Sequence, residues 1–169
     1  MTFAIREFEP ADFDALWRVD QSCFPPGIAY SRAELRFYIR RRGSFTLVAS
    51  SAAMPSSGSG QGEKKSVPTS VANSAVSGFI VAEANRGSGH IITIDVLAAA
   101  RRAGVGSLLL RAAEDRLRCA QCPSVGLETA VDNVSALAFY KRHGYSVIET
   151  LPRYYSNGVD ALVLEKNLS

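Results

Sequence analysis

The sequence predicts a mixed α/β fold built around a central sheet, and three observations carry that expectation. Short segments alternate apolar and polar residues, as half-buried strands do. Between them lie segments with apolar residues at helical spacing, opened by capping residues and closed by Gly or Pro. The two kinds follow one another in the order β-α-α-β-β-β-α-β-α-β-β, which interleaves helices among strands. With 169 residues, 47% of them hydrophobic and 21% charged, the chain is long enough to bury a core and is expected to form one domain over 1–169.

Thr2 to Phe8 alternates, with Phe3, Ile5 and Phe8 inward, and reads as the first strand. Pro10-Ala-Asp-Phe-Asp opens the first helix. Pro fits a first turn, acids suit the amino end of the helix dipole, and Phe13, Leu16, Trp17 and Asp20 keep helical spacing. Phe24-Pro-Pro-Gly ends it. Ser31, with Glu34 three residues on, forms a capping box for a second helix through Arg42. Ser44 to Ser50 is a short strand. The stretch 51–74 is almost wholly Ser, Gly, Ala, Pro and Lys and is expected to be a flexible loop between strands. Val76–Glu83 and His90–Val96 are the next strands, joined by the turn-rich Asn85-Arg-Gly-Ser-Gly. Gly104–Arg118 is a helix with Val105, Leu108, Leu109 and Ala112 as its apolar stripe and Arg111, Glu114, Asp115 and Arg118 outside. Val125–Val131 is a strand and Val134–Arg142 a helix. Gly144-Tyr145 stops that helix before another strand, and Val159–Leu168 closes the chain as a strand.

Composition narrows the partners. A net charge of +3 suits a polyanionic ligand but is too small for a protein that coats nucleic acid, so no stable nucleic-acid partner is expected. Three cysteines, an odd number, argue against a disulfide framework and for a reducing compartment. Cys119 and Cys122 are a lone C-x-x-C with neither histidine near, so no metal is expected. The amino terminus has no signal-peptide core, and no apolar run reaches the roughly 18 residues of a membrane span. A cytoplasmic protein without a membrane partner is expected, as a monomer or weak dimer.

The strongest chemical signal is Val96-Leu-Ala-Ala-Ala-Arg101-Arg102-Ala103-Gly104-Val105-Gly106-Ser107, where a strand ends and a helix begins at glycines. Glycines let backbone approach a ligand closely, and the unpaired amides of a first turn, with the helix dipole, attract anions. Arg101 and Arg102 add two full charges. A pyrophosphate fits such a turn. A dinucleotide fingerprint would need a third glycine near 109, where Leu109 stands. A Walker loop would need Lys before its Ser, where Gly106 stands.

The segment Arg101-Arg102-Ala103-Gly104-Val105-Gly106 resembles the R/Q-x-x-G-x-G/A signature of the GCN5-related N-acetyltransferase (GNAT) superfamily. Asn133-Val-Ser-Ala-Leu-Ala-Phe-Tyr140-Lys-Arg-His-Gly144-Tyr145 resembles a second motif of the same superfamily, and the element order is similar throughout. Within it the chain looks most like the ribosomal-protein alanine acetyltransferases and other N-terminal acetyltransferases, through Leu127-Glu128 to Asn133, Arg153-Tyr154-Tyr155 to Ala161, and Cys23-Phe24-Pro25 to Tyr30-Ser31. It departs from them in Leu97-Ala-Ala-Ala, where an aromatic or proline often precedes the glycine turn, and in the long Ser-rich loop.

The resemblance implies a mostly antiparallel sheet, splayed between the fourth and fifth strands, with helices on both faces. It implies acetyl-CoA as donor, its pantetheine in the splay and its diphosphate on residues 101–107. A backbone N–H near Val96 or Leu97 would polarise the thioester. Strand alternation places Gly126, Glu128 and Ala130 on one face, which leaves the Glu128 carboxylate between small neighbours as candidate base. The alternative is an ordinary solvent-facing Glu, and His90 is held in reserve, though its place beside a turn suits a surface histidine. Tyr140 is the candidate acid for the leaving thiol, against a purely packing role. Asn133 caps its helix and, by the resemblance, meets the cofactor. Phe24, Pro25 and Tyr30 on one loop and Tyr154 and Tyr155 on another would flank the acceptor, although Asn157-Gly158 also reads as a plain hairpin turn. Arg36, Arg40, Arg41 and Arg42 read as a solvated helix face.

The expected activity is acetyl transfer to the α-amino group of a protein, with a ribosomal-protein alanine as leading acceptor. A small amine (polyamine, amino acid or drug) is the alternative acceptor, and a non-catalytic acetyl-CoA-binding module is the alternative role.

Overall fold

The computed structural model describes residues 2–51 and 75–169, so the expected Ser-rich loop lies, except for Ser51, outside the described residues. Seven strands form one sheet: β1 (Phe3–Glu7), β2 (Ser44–Ser51), β3 (Val76–Asn85), β4 (Ser88–Val96), β5 (Ser124–Ala130), β6 (Ser146–Leu151) and β7 (Ala161–Asn167). Their spatial order is β1-β2-β3-β4-β5-β7-β6. Helices α1 (Phe13–Cys23), α2 (Arg32–Arg40), α3 (Val105–Cys119) and α4 (Val134–Arg142) complete the predicted order. Every pairing is antiparallel except β4 with β5.

Each face of the sheet has its own core. On one, Phe13, Leu16 and Val19 of α1 and Leu35 of α2 pack with Val48, Phe79 and Val81. On the other, Leu109, Leu110, Ala113 and Leu117 of α3 pack with Leu47, Ile80, Ile91, Val125 and Leu127. The strand periodicity foresaw the inward set of β5. The stripe of α3 is rotated from expectation: Leu110, Ala113 and Glu114 are buried, and Leu108 is exposed. Glu114 can be buried because Lys166 Nζ sits 2.8 Å away, the Tyr145 hydroxyl donates at 3.0 Å and Arg118 stands at 3.7 Å.

Local chemistry sets the boundaries. Ser31 and Glu34 form the expected reciprocal cap, but α2 stops at Arg40 because Arg41 is extended. The β3–β4 turn is tighter than predicted. Asn85 pairs with Ser88, and Arg86 (φ 48°) and Gly87 (φ 82°) both take left-handed values, the signature of a two-residue type I′ turn. Both strands are therefore longer, and His90 lies inside β4.

Two irregularities in β4 shape the site. Val81 faces Thr93 while Ala82 faces Ile91, so Ile92 is an extra, bulged residue. The parallel pairing with β5 is confined to Gly89–Val125 and His90–Gly126; beyond it, Ile91–Val96 and Leu127–Ala130 diverge. That is the expected splay between the fourth and fifth strands.

One buried group gives a stability prediction. Asp20 of α1 is fully buried, and burial raises its carboxyl to about 6 although the Tyr30 amide and Gln21 donate to it. A folded-state value above the unfolded one means the folded protein binds the proton more tightly. The associated stability is complete below about 4 and is lost as pH rises through 6, a change of roughly 3 kcal/mol. Asp20→Asn is expected to flatten the thermal-denaturation midpoint between pH 4 and 6.5 relative to the parent. An unchanged slope would show that Asp20 is not the titrating group.

Candidate active site

The glycine turn follows β4 through a short 3-10 segment, Ala98–Ala100. Arg102 (φ 65°) and Gly104 (φ 83°) both adopt left-handed backbone. Gly104 then caps α3, whose first intrahelical bond here runs from Leu108 N–H to Gly104 O, and residues 101–104 are exposed. The amides of Val105, Gly106 and Ser107 are the orphan donors of a 15-residue helix. Gly106 is bare for another reason. A Cβ there would lie 3.3 Å from the Phe139 ring of α4.

The side chains of the turn are partly committed. Arg101 Nε donates to Val96 O at 2.9 Å and so closes the end of β4. Ser107 Oγ lies 2.9 Å from His143 Nε2, a tie between α3 and the end of α4 that the sequence did not foretell. Asn133 accepts from Ala136 N–H at 3.2 Å as the cap of α4, and its amide nitrogen is left for another partner.

Val96 and Leu97 divide as their strand requires. The Leu97 amide donates to Ser77 O at 3.0 Å, so the expectation that it could face a thioester is corrected: it is spent on the neighbouring strand β3. Amides of successive strand residues point to opposite edges. The Val96 amide therefore faces the gap opened by the splay.

Glu128 projects on the face that also carries His90, and their side chains meet with His90 Nε2 2.7 Å from Glu128 Oε2. The placing of His90 as a surface residue beside the turn is corrected. The hydrogen bond to Glu128 raises the imidazole above its ordinary value, burial opposes this, and the charges of Glu128 and Glu83 add to it. Glu83 Oε1 stands 3.7 Å from His90 Nδ1, and Arg41 Nε lies 3.3 Å from Glu83 Oε2. Sequence reading missed Glu83 and Arg41. Their signal was the hairpin register, which sets Glu83 opposite His90.

Aromatic residues ring this face. Tyr154 and Tyr155 touch edge to face at 5.1 Å, and burial with the nearby Tyr154 and Glu128 pushes Tyr155 up to about 12. Tyr154 is half exposed and is raised by burial and by Glu128. Tyr30 is less free than expected, because its hydroxyl donates to Ile92 O at 3.4 Å in the bulge and its ring packs 5.2 Å from Tyr38. Phe24 is half-buried and Pro25 exposed; Phe24 and Tyr30 line a hollow of about 360 Å³ with Trp17, Gln21 and Glu34, which does not include Glu128. The loops that carry these two groups are joined, since Ser156 Oγ donates to Gly27 O at 2.6 Å.

Tyr140 is buried in α4, with Phe139 at 5.2 Å and Tyr145 at 5.4 Å. Burial, with the charge of Asp95, drives its phenol above the ordinary value, so it is protonated at neutral pH. Asp95 itself is fully buried, held by the Thr93 hydroxyl at 2.7 Å, and burial keeps it well above the usual carboxylate range.

Among the described residues no helix is long and apolar enough to cross a membrane. The chain is 39% identical over 92 residues to an uncharacterized N-acetyltransferase of Methanocaldococcus jannaschii, covering 54% of this chain and 59% of that protein. It is 35% identical over 77 residues to an N-alpha-acetyltransferase of Sulfurisphaera tokodaii, covering 45% of this chain and 46% of the relative. The matched segments thus span about half the length of these curated relatives. The fold is shared with the ribosomal-protein-S18-alanine N-acetyltransferase of Escherichia coli at a TM-score of 0.78, over 99% of this chain and 95% of that one, with 18% identity. Residues 62–145 match the model of the acetyltransferase (GNAT) family. With the splayed strands and glycine turn in place, these likenesses establish that the chain belongs to the GNAT acetyltransferase family.

Proposed function

We propose that this protein is an acetyl-CoA-dependent N-acetyltransferase acting on the α-amino group of a peptide or protein. The observation that carries the reading is the meeting of Glu128 and His90 at the mouth of the β4–β5 splay, 2.7 Å apart, on the sheet whose β4 leads into the first-turn amides of α3. The likeness to the archaeal N-alpha-acetyltransferase supports the choice of acceptor.

Acetyl-CoA supplies the activated acetyl group as a thioester. The residues fit it: the unpaired first-turn amides of α3 with Arg101 and Arg102 suit a diphosphate, and diverging strands offer unpaired backbone to an extended amide chain. The Val96 amide would donate to the carbonyl oxygen as negative charge grows there. Donors of this kind are worth about 3–4 kcal/mol. Glu128 would accept the proton of the incoming ammonium beside His90, whose affinity for protons its bond to Glu128 raises. Tyr140 would place its hydroxyl proton on the departing sulfur. Tyr154 and Tyr155, roofed by the Gly27–Ser156 contact, would hold the extended end of the acceptor. A joined roof favours a chain end over a side chain in mid-chain. Ribosomal-protein alanine stays the first acceptor to test, by the resemblance in the loops.

The test is acetylation, read by mass, of peptides with varied first residues alongside polyamines and free amino acids. Peptides beginning with Ala or Ser are expected to react with kcat/KM at least tenfold above any free amine. Preference for free amines would replace this reading with that of a small-amine acetyltransferase.

A further inference from the structure

Four charged or titratable side chains, from three strands and the residue after α2, lie in line across the α1–α2 face of the sheet. Arg41 comes from the residue after α2, Glu83 from β3, His90 from β4 and Glu128 from β5. The contacts between them are 3.3 Å, 3.7 Å and 2.7 Å in that order. Their burial is uneven. Glu83 is almost fully buried, its side chain 6% exposed, whereas those of His90 and Arg41 are 37% and 41% exposed. A buried carboxylate is costly unless it is paired, and its nearest cations are Arg41 and a protonated His90.

We propose that Glu83, anchored by Arg41, is a positioning residue for proton transfer: from the Nδ1 side it holds the His90 ring with Nε2 on Glu128 and favours the charged ring, and so sets the pH range in which Glu128 is free to collect a proton from the acceptor. This rests on the acetyltransferase reading above and adds two residues to it.

The chemistry follows from the geometry. A distance of 2.7 Å between His90 Nε2 and a carboxylate oxygen is that of a charge-assisted bond, with hydrogen on the nitrogen. The 3.7 Å to Glu83 is an ionic contact, longer than a hydrogen bond. This is the geometry of the proton-loaded pair. In the receptive state His90 is neutral and keeps its hydrogen on Nε2, toward the nearer Glu128, while Glu83 faces Nδ1 and favours the charged ring that forms at lower pH. The acceptor ammonium then releases one proton to the second oxygen of Glu128, and the neutral amine attacks. Glu128 later returns that proton to water. The charge is balanced throughout, and no other reactant is needed.

The groups facing His90 are Glu83 from β3, Glu128 from β5 and Arg41 from the end of α2; Tyr154 and Tyr155 face Glu128 from the β6–β7 loop. Glu83 and Arg41 act on the imidazole in opposite senses. The first favours its protonated form and the second disfavours it.

The test is direct because the chain has two histidines, so the ring signals of His90 can be assigned by NMR in the full-length protein by comparison with His143→Gln. In Glu83→Gln the titration midpoint of His90 is expected to fall, and the acid limb of the kcat/KM profile to fall by the same shift, while KM for the acceptor stays. Glu83→Asp should restore both toward the parent. Arg41→Gln, at a half-exposed site, should move both upward and guards against misfolding in the buried variant. If turnover drops in Glu83→Gln while midpoint and limb stay in place, Glu83 is merely structural and the inference is overturned. It is also overturned if neither variant moves either quantity. Failure of the underlying reading looks different: His90→Asn and Glu128→Gln would then both keep parental turnover and an unchanged profile.

Discussion

Glu128→Gln should lower kcat/KM for a peptide acceptor by about a hundredfold or more at pH 7, with little change in KM. The size is that of a positioned general base. The pH dependence identifies the cause. At pH 7 only about a tenth of an α-amine of pKa near 8 is neutral, so a free enzyme lacking its base must wait for the minor form. By pH 9 most of the amine arrives without its proton, and roughly tenfold of the deficit should disappear. The remainder reflects the proton that the nitrogen must still lose as the new bond forms. Glutamine keeps the volume and one acceptor oxygen, and the position is partly exposed, so the fold is not at risk. Steady-state kinetics from pH 6 to 9 on parent and variant make the measurement. A variant with parental kcat/KM at pH 7, or a deficit that stays constant across the range, would remove Glu128 from the chemistry.

The order of elements was legible because each signal is local. The capping box at Ser31 and Glu34, the alternation of β5 and the glycines at 104 and 106 are read within a few residues. The candidate cofactor residues share that property, since 101–107 form one contiguous turn. What escaped depends on contacts between distant segments. The stripe of α3 was set one position off because the charge of Glu114 is answered by Lys166, 52 residues away. The Leu97 amide was expected to be free, yet it is taken by Ser77 through the register of the β3–β4 hairpin. His90 was placed at a turn edge because Asn85-Arg-Gly-Ser-Gly was read as a longer connection, whereas Arg86 and Gly87 alone make it. A tighter turn moves His90 into β4, and the parallel register with β5 then brings it to Glu128, 38 residues on. Composition carries no trace of a register, so the meeting of His90 and Glu128 could not be read from residue types alone.

Gly106→Val should weaken coenzyme A binding by at least a hundredfold, close to 3 kcal/mol, and a comparison with Gly104 shows why. The two glycines of the turn are there for different reasons. Gly104 has φ +83° and nothing within 4 Å of where a Cβ would lie, so a side chain there meets backbone strain but no neighbour. Strain of this kind costs about 1–2 kcal/mol, and less for Asn, which tolerates left-handed backbone. Gly106 is helical, yet its Cβ would approach the Phe139 ring at 3.3 Å and 3.4 Å and Val96 Cγ2 at 3.8 Å. Alanine can be admitted if the ring gives by a few tenths of an ångström. The branched valine cannot, and it must displace α4, on which Phe139 and Tyr140 are adjacent, or project over the orphan amides of the first turn. Either way the space between α3, α4 and the end of β4 closes. Overpacking by this amount costs about 1–3 kcal/mol of stability, which leaves a protein of ordinary stability folded. Calorimetric titration with coenzyme A, with circular dichroism to establish folding, should rank the variants as parent, Gly106→Ala and Gly104→Asn, then Gly106→Val far behind. Parental affinity in a folded Gly106→Val protein would mean that the diphosphate does not sit on the first turn of α3.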